Sequence, residues 1–242
     1  MQSQVSSVRQ PRPAGHEIAQ EGMIVSAWLT NLRFRWDEAT KGSRTRHFAK
    51  DETLFLEGNA ADTVFVIVEG RIRLTSYAFD GKERHLMIVG PNGLVGDCGL
   101  LSSKRYVVSA VAASDAAVRP VPASTLLAAL GQHPELQAQQ QALSGLRFRI
   151  MLRHLALQGS NSSRRRVCLH LGDLVHSYGV PHGEGTAISI AFTQQEMGSI
   201  CGLSRVSVSH IFSQLEREQV ITRAGRLVVV LDPVRLELLS RT

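Results

Sequence analysis

An α+β chain, with an N-terminal β jelly roll, a long helix and a C-terminal helical unit carrying a β hairpin, is predicted by three features. Short apolar or alternating runs bounded by turn residues fill the region from Phe48 to Pro122. After Ser124 the strand signal stops, and Leu136, Leu143, Ile150 and Leu157 recur every seven residues. The last feature is the grammar of TQQEMGSICGLSRVSVSHIFSQLE, two short helical patterns separated by Gly202.

Along the chain, residues 1–22 mix Pro11, Pro13 and Gly15 without apolar period and are expected to be a flexible arm. IVSAWLTNL, Ile24 to Leu32, has helical spacing. TLFLEG, the long run from TVFVIVEG to HLMIV and VVSAVAASDAAVRPVP then predict about eight strands, with a hairpin turn at Asp80-Gly81, and place a jelly roll at 23–133. The seven-residue repeat, about 25 residues or roughly 37 Å at 1.5 Å per residue, predicts a helix within 134–160. That is longer than one face of a small sandwich, so the stretch from Leu136 to Leu157 is expected to pair two copies of the chain, although Gln139 and Arg153 interrupt the seam. GSNSS at 159–163 reads as a hinge and helix cap before a final unit at 161–242.

Composition excludes several classes. The 242 residues are 43% apolar and 20% charged, typical of a globular chain. No run approaches the roughly 18 apolar residues of a membrane span, and the N-terminus has no export-type apolar core, so the expected location is cytoplasmic, away from membranes. Cys98, Cys168 and Cys201 are scattered and odd in number, which fits neither a disulfide framework nor a four-thiolate cluster. The nine histidines form no H-x-H or H-x-x-x-H pair. No catalytic residue, cofactor or metal site is therefore read. The net charge of +6 is uneven: residues 51–135 carry 7 basic and 10 acidic side chains, whereas Arg147, Arg149, Arg153, Arg164, Arg165 and Arg166 lie in a stretch without a carboxylate. That stretch reads as the side a polyanion would approach, or as a solvated face that uses arginine.

In the last unit, Thr193 and Glu196 form a capping-box pattern, Gly202 suits a left-handed stop, and Ser204 suits the next cap. Val208, Ile211, Phe212 and Leu215 fall on one face, leaving Arg205, Val206, Ser207, Ser209, His210 and Ser213 outward or flanking. ITRAGRLVVVL supplies a two-stranded wing with Arg223 and Arg226 near its tip. This is the pattern of a winged helix-turn-helix, whose second helix enters the DNA major groove, where Arg, His and hydroxyls meet base edges. Thr193 and Gln194 at the first helix, with the wing arginines, are the companion candidates for double-stranded DNA.

The chain from Phe48 to Leu231 resembles the Crp-Fnr family of bacterial transcription regulators, through VFVIVEGRIRL, DGKERHLMIVGPNGLVGDCGLL with Arg105, HPEL and the helix-turn-helix segment. The resemblance implies a β-roll sensor, a dimerising helix and a DNA-binding domain, a palindromic operator, and RNA polymerase as partner if the protein activates. The cyclic-AMP-binding members use Gly-Glu and Arg-Ser or Arg-Thr pairs. Gly96-Asp97 and Arg105-Tyr106 stand here, and Met151 and Leu152 fall where adenine would meet hydroxyls. The resemblance thus implies a pocket of Gly96, Asp97, Cys98, Arg105, Tyr106, Met151 and Leu152 that lacks partners for cyclic AMP and leaves the effector unidentified. Thiol oxidation is weighed at Cys98 and Cys201, for which a small buried apolar residue is the plainer reading. Family readers commonly carry Glu at the position of Val206 and Arg at that of His210, so the operator does not transfer. The competing reading, a cupin-like metal-dependent enzyme built on the β-roll, lacks paired His and Glu ligands and leaves the winged unit unexplained.

Overall fold

The computed structural model describes residues 26–30, 32–77, 83–100, 103–157 and 162–241, with the side chains of residues 156 and 157 excepted. The expected arm, the Asp80-Gly81 turn and the start of the hinge lie outside them. The N-terminal half is a two-sheet sandwich. One sheet has the order β1-β6-β5-β8-β3, from Trp28–Leu29, Glu83–Val89, Ile72–Tyr77, Ser109–Ala112 and Thr53–Phe55. The other has β2-β9-β4-β7, from Arg46–Phe48, Ala116–Pro122, Thr63–Glu69 and Leu94–Val95. Val64, Ile67, Ile72, Leu94 and Val118 are fully buried between the sheets. A short helix α1 (Asp37–Thr40) precedes β2, and α2 (Ala123–Gln132) follows β9.

Trp28 and Leu29 overturn the helix expected over Ile24 to Leu32. They form strand β1, paired in parallel with β6, Trp28 opposite Ile88 and Leu29 opposite Val89. The reason is the open edge of β6: the Ile88 N–H donates to Ala27 O at 2.8 Å and the Gly90 N–H to Leu29 O at 2.8 Å. A short apolar run is ambiguous in isolation, and an unpaired sheet edge decides it. Strand alternation then sends neighbours to opposite sides. Leu29 and Val89 join the sandwich core, while Trp28 and Ile88 join the core of the C-terminal half.

Helix α3 (Pro134–Leu157) matches the expected long helix, but its heptad residues Leu136, Leu143 and Ile150 do not face outward. Leu143 and Ile150 are fully buried and Leu136 nearly so, all in the sandwich core with Leu146. The seven-residue repeat marks the face that covers the sandwich. Gln139 sits on it because its amide pairs with the backbone of Arg35, accepting from the N–H at 2.6 Å and donating to the carbonyl at 3.2 Å. The outward stripe is Phe148, Met151, Leu152 and Leu155, from 37% to 68% exposed.

The C-terminal half begins with α4 (Ser163–Tyr178), capped by Ser162, which accepts from the Arg165 N–H at 3.2 Å. A four-stranded sheet has the order β10-β11-β13-β12 (Gly179–His182, Gly185–Ile188, Leu227–Val230, Ile221–Ala224), with α5 (Gln194–Cys201) and α6 (Arg205–Arg217) between β11 and β12 in the chain, and α7 (Pro233–Arg241) packs on α4. Tyr178 joins the halves: its hydroxyl accepts from the Thr30 N–H at 3.0 Å and donates to Trp28 O. Beside it, His170 on α4 is buried edge-on to His154 of α3 (centroids 5.2 Å apart) and to Trp28 (6.4 Å).

Burial, and after it the nearby His154, Arg153 and Arg166, depress the His170 pKa to about 3. The unfolded imidazole titrates near 6.5, so the unfolded chain takes up this proton first. The stability contributed by neutral His170 is whole above pH 6.5 and drains as the pH falls toward 3. Urea midpoints should therefore drop between pH 7 and pH 4.5, and His170→Leu should shrink that drop, by on the order of 1 kcal/mol per pH unit. A drop of the same size in the variant would refute the assignment.

Candidate functional site

The DNA-facing candidates converge at α5, α6 and the wing. Thr193 Oγ1 accepts from the Glu196 N–H at 3.0 Å while Glu196 Oε2 accepts from the Thr193 N–H at 2.7 Å, closing the capping box. Gly202 ends α5 in the left-handed region, at φ 67° and ψ 38°. Ser204 Oγ accepts from the Ser207 N–H at 3.0 Å and starts α6. Val208, Ile211, Phe212 and Leu215 are buried as expected, which fixes the rotation of α6. Arg205, Val206 and His210 are exposed, and Ser207 and Ser209 half-buried beside them. Val206 is 64% exposed on a helix with four buried apolar residues, an exposure that folding does not require.

The wing turns at Gly225, φ 61°. Arg226 is exposed at its tip, whereas Arg223 lies within β12, its Nε 2.7 Å from Glu216 Oε1 and its guanidinium over the Phe212 ring. Only Arg226 is therefore at the tip. Between wing, α5 and sandwich lies a cleft of about 450 Å³ lined by Thr193, Gln194, Arg223, Arg226, Phe192 and, from the sandwich, Arg71.

The arginine stretch expected to draw a polyanion is largely spent inside the protein. Arg147 pairs with Asp97, Arg153 with Asp173 at 2.8 Å, and Arg164 with Glu218, while Arg165 donates to Ser240 O at 3.0 Å. A local count of charge does not see carboxylates that the fold brings from other segments.

In the sandwich, Gly96, Asp97, Cys98 and Tyr106 do line one cavity, together with Phe55 and Arg147. It holds only about 10 Å³, the space of a single water. The Tyr106 ring stacks on Phe55 at 3.9 Å, and its hydroxyl donates to Thr63 O at 2.6 Å. Arg147 Nη1 reaches Asp97 Oδ1 at 2.8 Å and Oδ2 at 2.9 Å, Nη2 donates to Leu94 O, and both side chains are over nine-tenths buried. Three expected pocket residues lie elsewhere. Arg105 turns away to donate to Gly58 O at 2.7 Å, and Met151 and Leu152 sit on the exposed stripe of α3. The residue that α3 delivers to the cavity is Arg147. Its signal was present in the sequence, since it falls four residues after Leu143 and three before Ile150, on the buried face.

Cys98 is exposed, against the expectation of a buried small residue, with Sγ 3.7 Å from Arg147 Nη1. Burial of the sulfur, then the Asp97 charge, push its thiol up, against the pull of Arg147. Cys201 is buried as expected and pushed up to about 12 by burial. Neither is set up as a ready thiolate. Among the described residues, no three His, Cys, Asp or Glu side chains are placed to hold a metal ion, and no helix is long and apolar enough to cross a membrane.

Comparison with known proteins bears on the whole chain. Residues 45–133 match the family model of the cyclic nucleotide-binding domain, and residues 165–239 that of the Crp-like helix-turn-helix domain. The chain is 24% identical over 197 residues to the CRP-like cAMP-activated global transcriptional regulator of Mycobacterium tuberculosis H37Rv, covering 81% of this chain and 88% of that protein. It is 29% identical over 188 residues to the nitrogen fixation regulation protein FixK of Azorhizobium caulinodans, covering 76% and 74%. The solved structure of FixK2 from Bradyrhizobium japonicum has the same fold, with a TM-score of 0.68 at 24% identity over 81% of this chain and 96% of that one. None of these supports a cupin-like enzyme. With both family models in the order the fold requires, and an exposed helix-turn-helix face between a capped helix and a wing, the chain belongs to the Crp-Fnr family of transcription regulators.

Proposed function

We propose that the protein binds palindromic double-stranded DNA as a homodimer, reading bases with α6, and that its sandwich does not respond to cyclic nucleotides. The observation that carries the DNA reading is the outward row of Arg205, Val206, Ser209 and His210 on a helix whose inner face is fully used. Arg205 can bond guanine in bidentate fashion, Val206 suits a thymine methyl, and His210 can donate to a guanine acceptor. Thr193, Gln194, Arg223 and Arg226 are the backbone contacts in this reading, which places the protein in the cytoplasm with the chromosome. RNA polymerase is the further partner if the bound site lies where activation is possible.

The homodimer is supported by α3. Phe148, Met151, Leu152 and Leu155 stand at i, i+3, i+4 and i+7, a continuous apolar stripe that this chain leaves uncovered, and a second copy supplies the same stripe. The partner surface is thus the outward face of the helix rather than the heptad face.

Exclusion of cyclic nucleotides is supported by the filled cavity. A cyclic nucleotide would have to displace the Tyr106 ring and break the Asp97 and Arg147 pair, whose separation leaves a buried charge at a cost of about 3 to 5 kcal/mol.

Selection of duplexes from random DNA should return a palindrome with half-sites about 34 Å apart, bound with a steep loss of affinity as salt rises. Val206→Glu should shift the preferred base at one position per half-site, and Arg226→Ala should weaken all sequences alike; a shift caused by the wing change alone would unseat α6 as the base reader. In light scattering, Leu152→Glu and Phe148→Glu should each give a folded monomer, and dimers in both would reject this face. Calorimetry with cyclic AMP or cyclic GMP should show no binding at micromolar concentration, and micromolar affinity would show that the cavity opens.

A further inference from the structure

The start of α5 carries a carboxylate where DNA binding needs a phosphate. Glu196 closes the capping box, with its side chain only 10% exposed. A helix N-terminus attracts an anion, and a second negative charge in the same turn repels it over a Debye length of about 10 Å. Arg71 lies across from it. Its Nη2 is 3.2 Å from Glu196 Oε1, and its Nη1 donates to Ala191 O, two residues before the cap. Both halves meet there, on the wall of the cleft that also holds Thr193, Gln194 and Arg226.

The sandwich presents this arginine from a rigid turn. Gly70 has φ +76°, and a Cβ there would meet Asp115 O at 2.2 Å, so no other residue fits. The Arg71 N–H donates to Ser114 Oγ at 3.1 Å and its carbonyl accepts from the Ala113 N–H at 2.8 Å. At the far end of α5, Arg84 of β6 comes so near that a Cβ on Gly202 would lie 2.8 Å from its Nη1. A cation beside a helix C-terminus is favourable, so Arg84 is well placed at this end of α5.

We propose that Arg71 is a positioning residue for DNA binding: it neutralises Glu196 and fixes the start of α5, so that the helix end accepts a backbone phosphate. The inference rests on reading α5, α6 and the wing as the DNA-facing surface. It places one determinant of DNA affinity in the sandwich, outside the helix-turn-helix.

The test uses the full chain and a fluorescent duplex carrying the selected palindrome, with anisotropy measured from 50 to 300 mM KCl. Arg71→Gln should weaken binding on the order of tenfold with an unchanged slope of log affinity against log salt. Arg71→Lys, which keeps the charge, should stay within about threefold of wild type. The double variant Arg71→Gln with Glu196→Gln, where glutamine still serves the capping box, should recover most of the loss. That recovery separates charge neutralisation from unfolding, because the double variant lacks the same Arg71 contacts. The helix end holds its phosphate through N–H groups and not through a cation, so a salt slope flatter by about 0.9 in Arg71→Gln, the value for one phosphate neutralised by an arginine, would make Arg71 itself a direct DNA contact and overturn the proposal. Wild-type affinity in Arg71→Gln, or no recovery in the double variant, would overturn it as well. Failure of the underlying reading looks different: the unaltered protein would select no DNA.

Discussion

The rotation of α3 rests on the Asp97 and Arg147 pair. A guanidinium buried in a sandwich core is costly unless its partner is near, and here a carboxylate at 2.8 Å and the Leu94 carbonyl engage both terminal nitrogens, while Nε is buried without a hydrogen-bond partner. The pair ties the loop after β7 to the helix at a single phase. With that phase set, Leu143, Leu146 and Ile150 close the sandwich, and Phe148, Leu152 and Leu155 have nowhere to go but outward. The small cavity and the exposed apolar stripe thus lie on opposite sides of a helix whose phase this pair and the buried apolar face share. Replacing the pair with apolar residues of similar volume could keep the packing, but it would remove the directional contact that selects this phase over a neighbouring one.

A second constraint joins the halves. Strand β1 is only two residues long, yet it puts Leu29 into one core and Trp28 into the other, and Tyr178 returns from α4 to bond its backbone on both sides of the strand. With Arg153 on Asp173 and Arg71 on Glu196, the C-terminal half is held by an apolar anchor flanked by ion pairs. Partly buried ion pairs offset much of their attraction by desolvation, so the apolar anchor carries most of the energy and the pairs set the orientation. The helix-turn-helix is therefore presented at an angle chosen by the sandwich, which links the filled cavity, α3 and the reading head physically.

What could be read in advance divides along the range of the interactions. The helix-turn-helix was legible almost residue by residue, because the capping box, the glycine stop, the serine cap and the inner face are local rules spanning a few residues. The succession of sandwich strands was legible for the same reason. The segment at Trp28 was not: its neighbours fit a helix and a strand equally, and the deciding hydrogen bonds come from β6, some 60 residues later. The heptad in α3 was seen but assigned to the wrong surface, since periodicity identifies a face without saying what covers it. Arg147 was counted as surface charge because its partner, Asp97, stands 50 residues away.

The arginines show how this bears on function. A net charge of +6 and a carboxylate-free run suggested a broad basic surface toward DNA. In the fold, four of the six arginines in that run hold the protein together through Asp97, Asp173, Glu218 and the Ser240 carbonyl. On the proposed reading, the attraction near the helix-turn-helix centres on the end of α5, whose Glu196 pairs with Arg71, on the exposed Arg205 at the start of α6, and on Arg226 at the wing. A few fixed charges around a helix terminus discriminate between positions on a duplex better than a diffuse basic face, because they fall off within about one Debye length and must be met by phosphates at matching spacing. If the duplex is read as proposed, its register is set by the same contacts that join the sandwich to the helix-turn-helix.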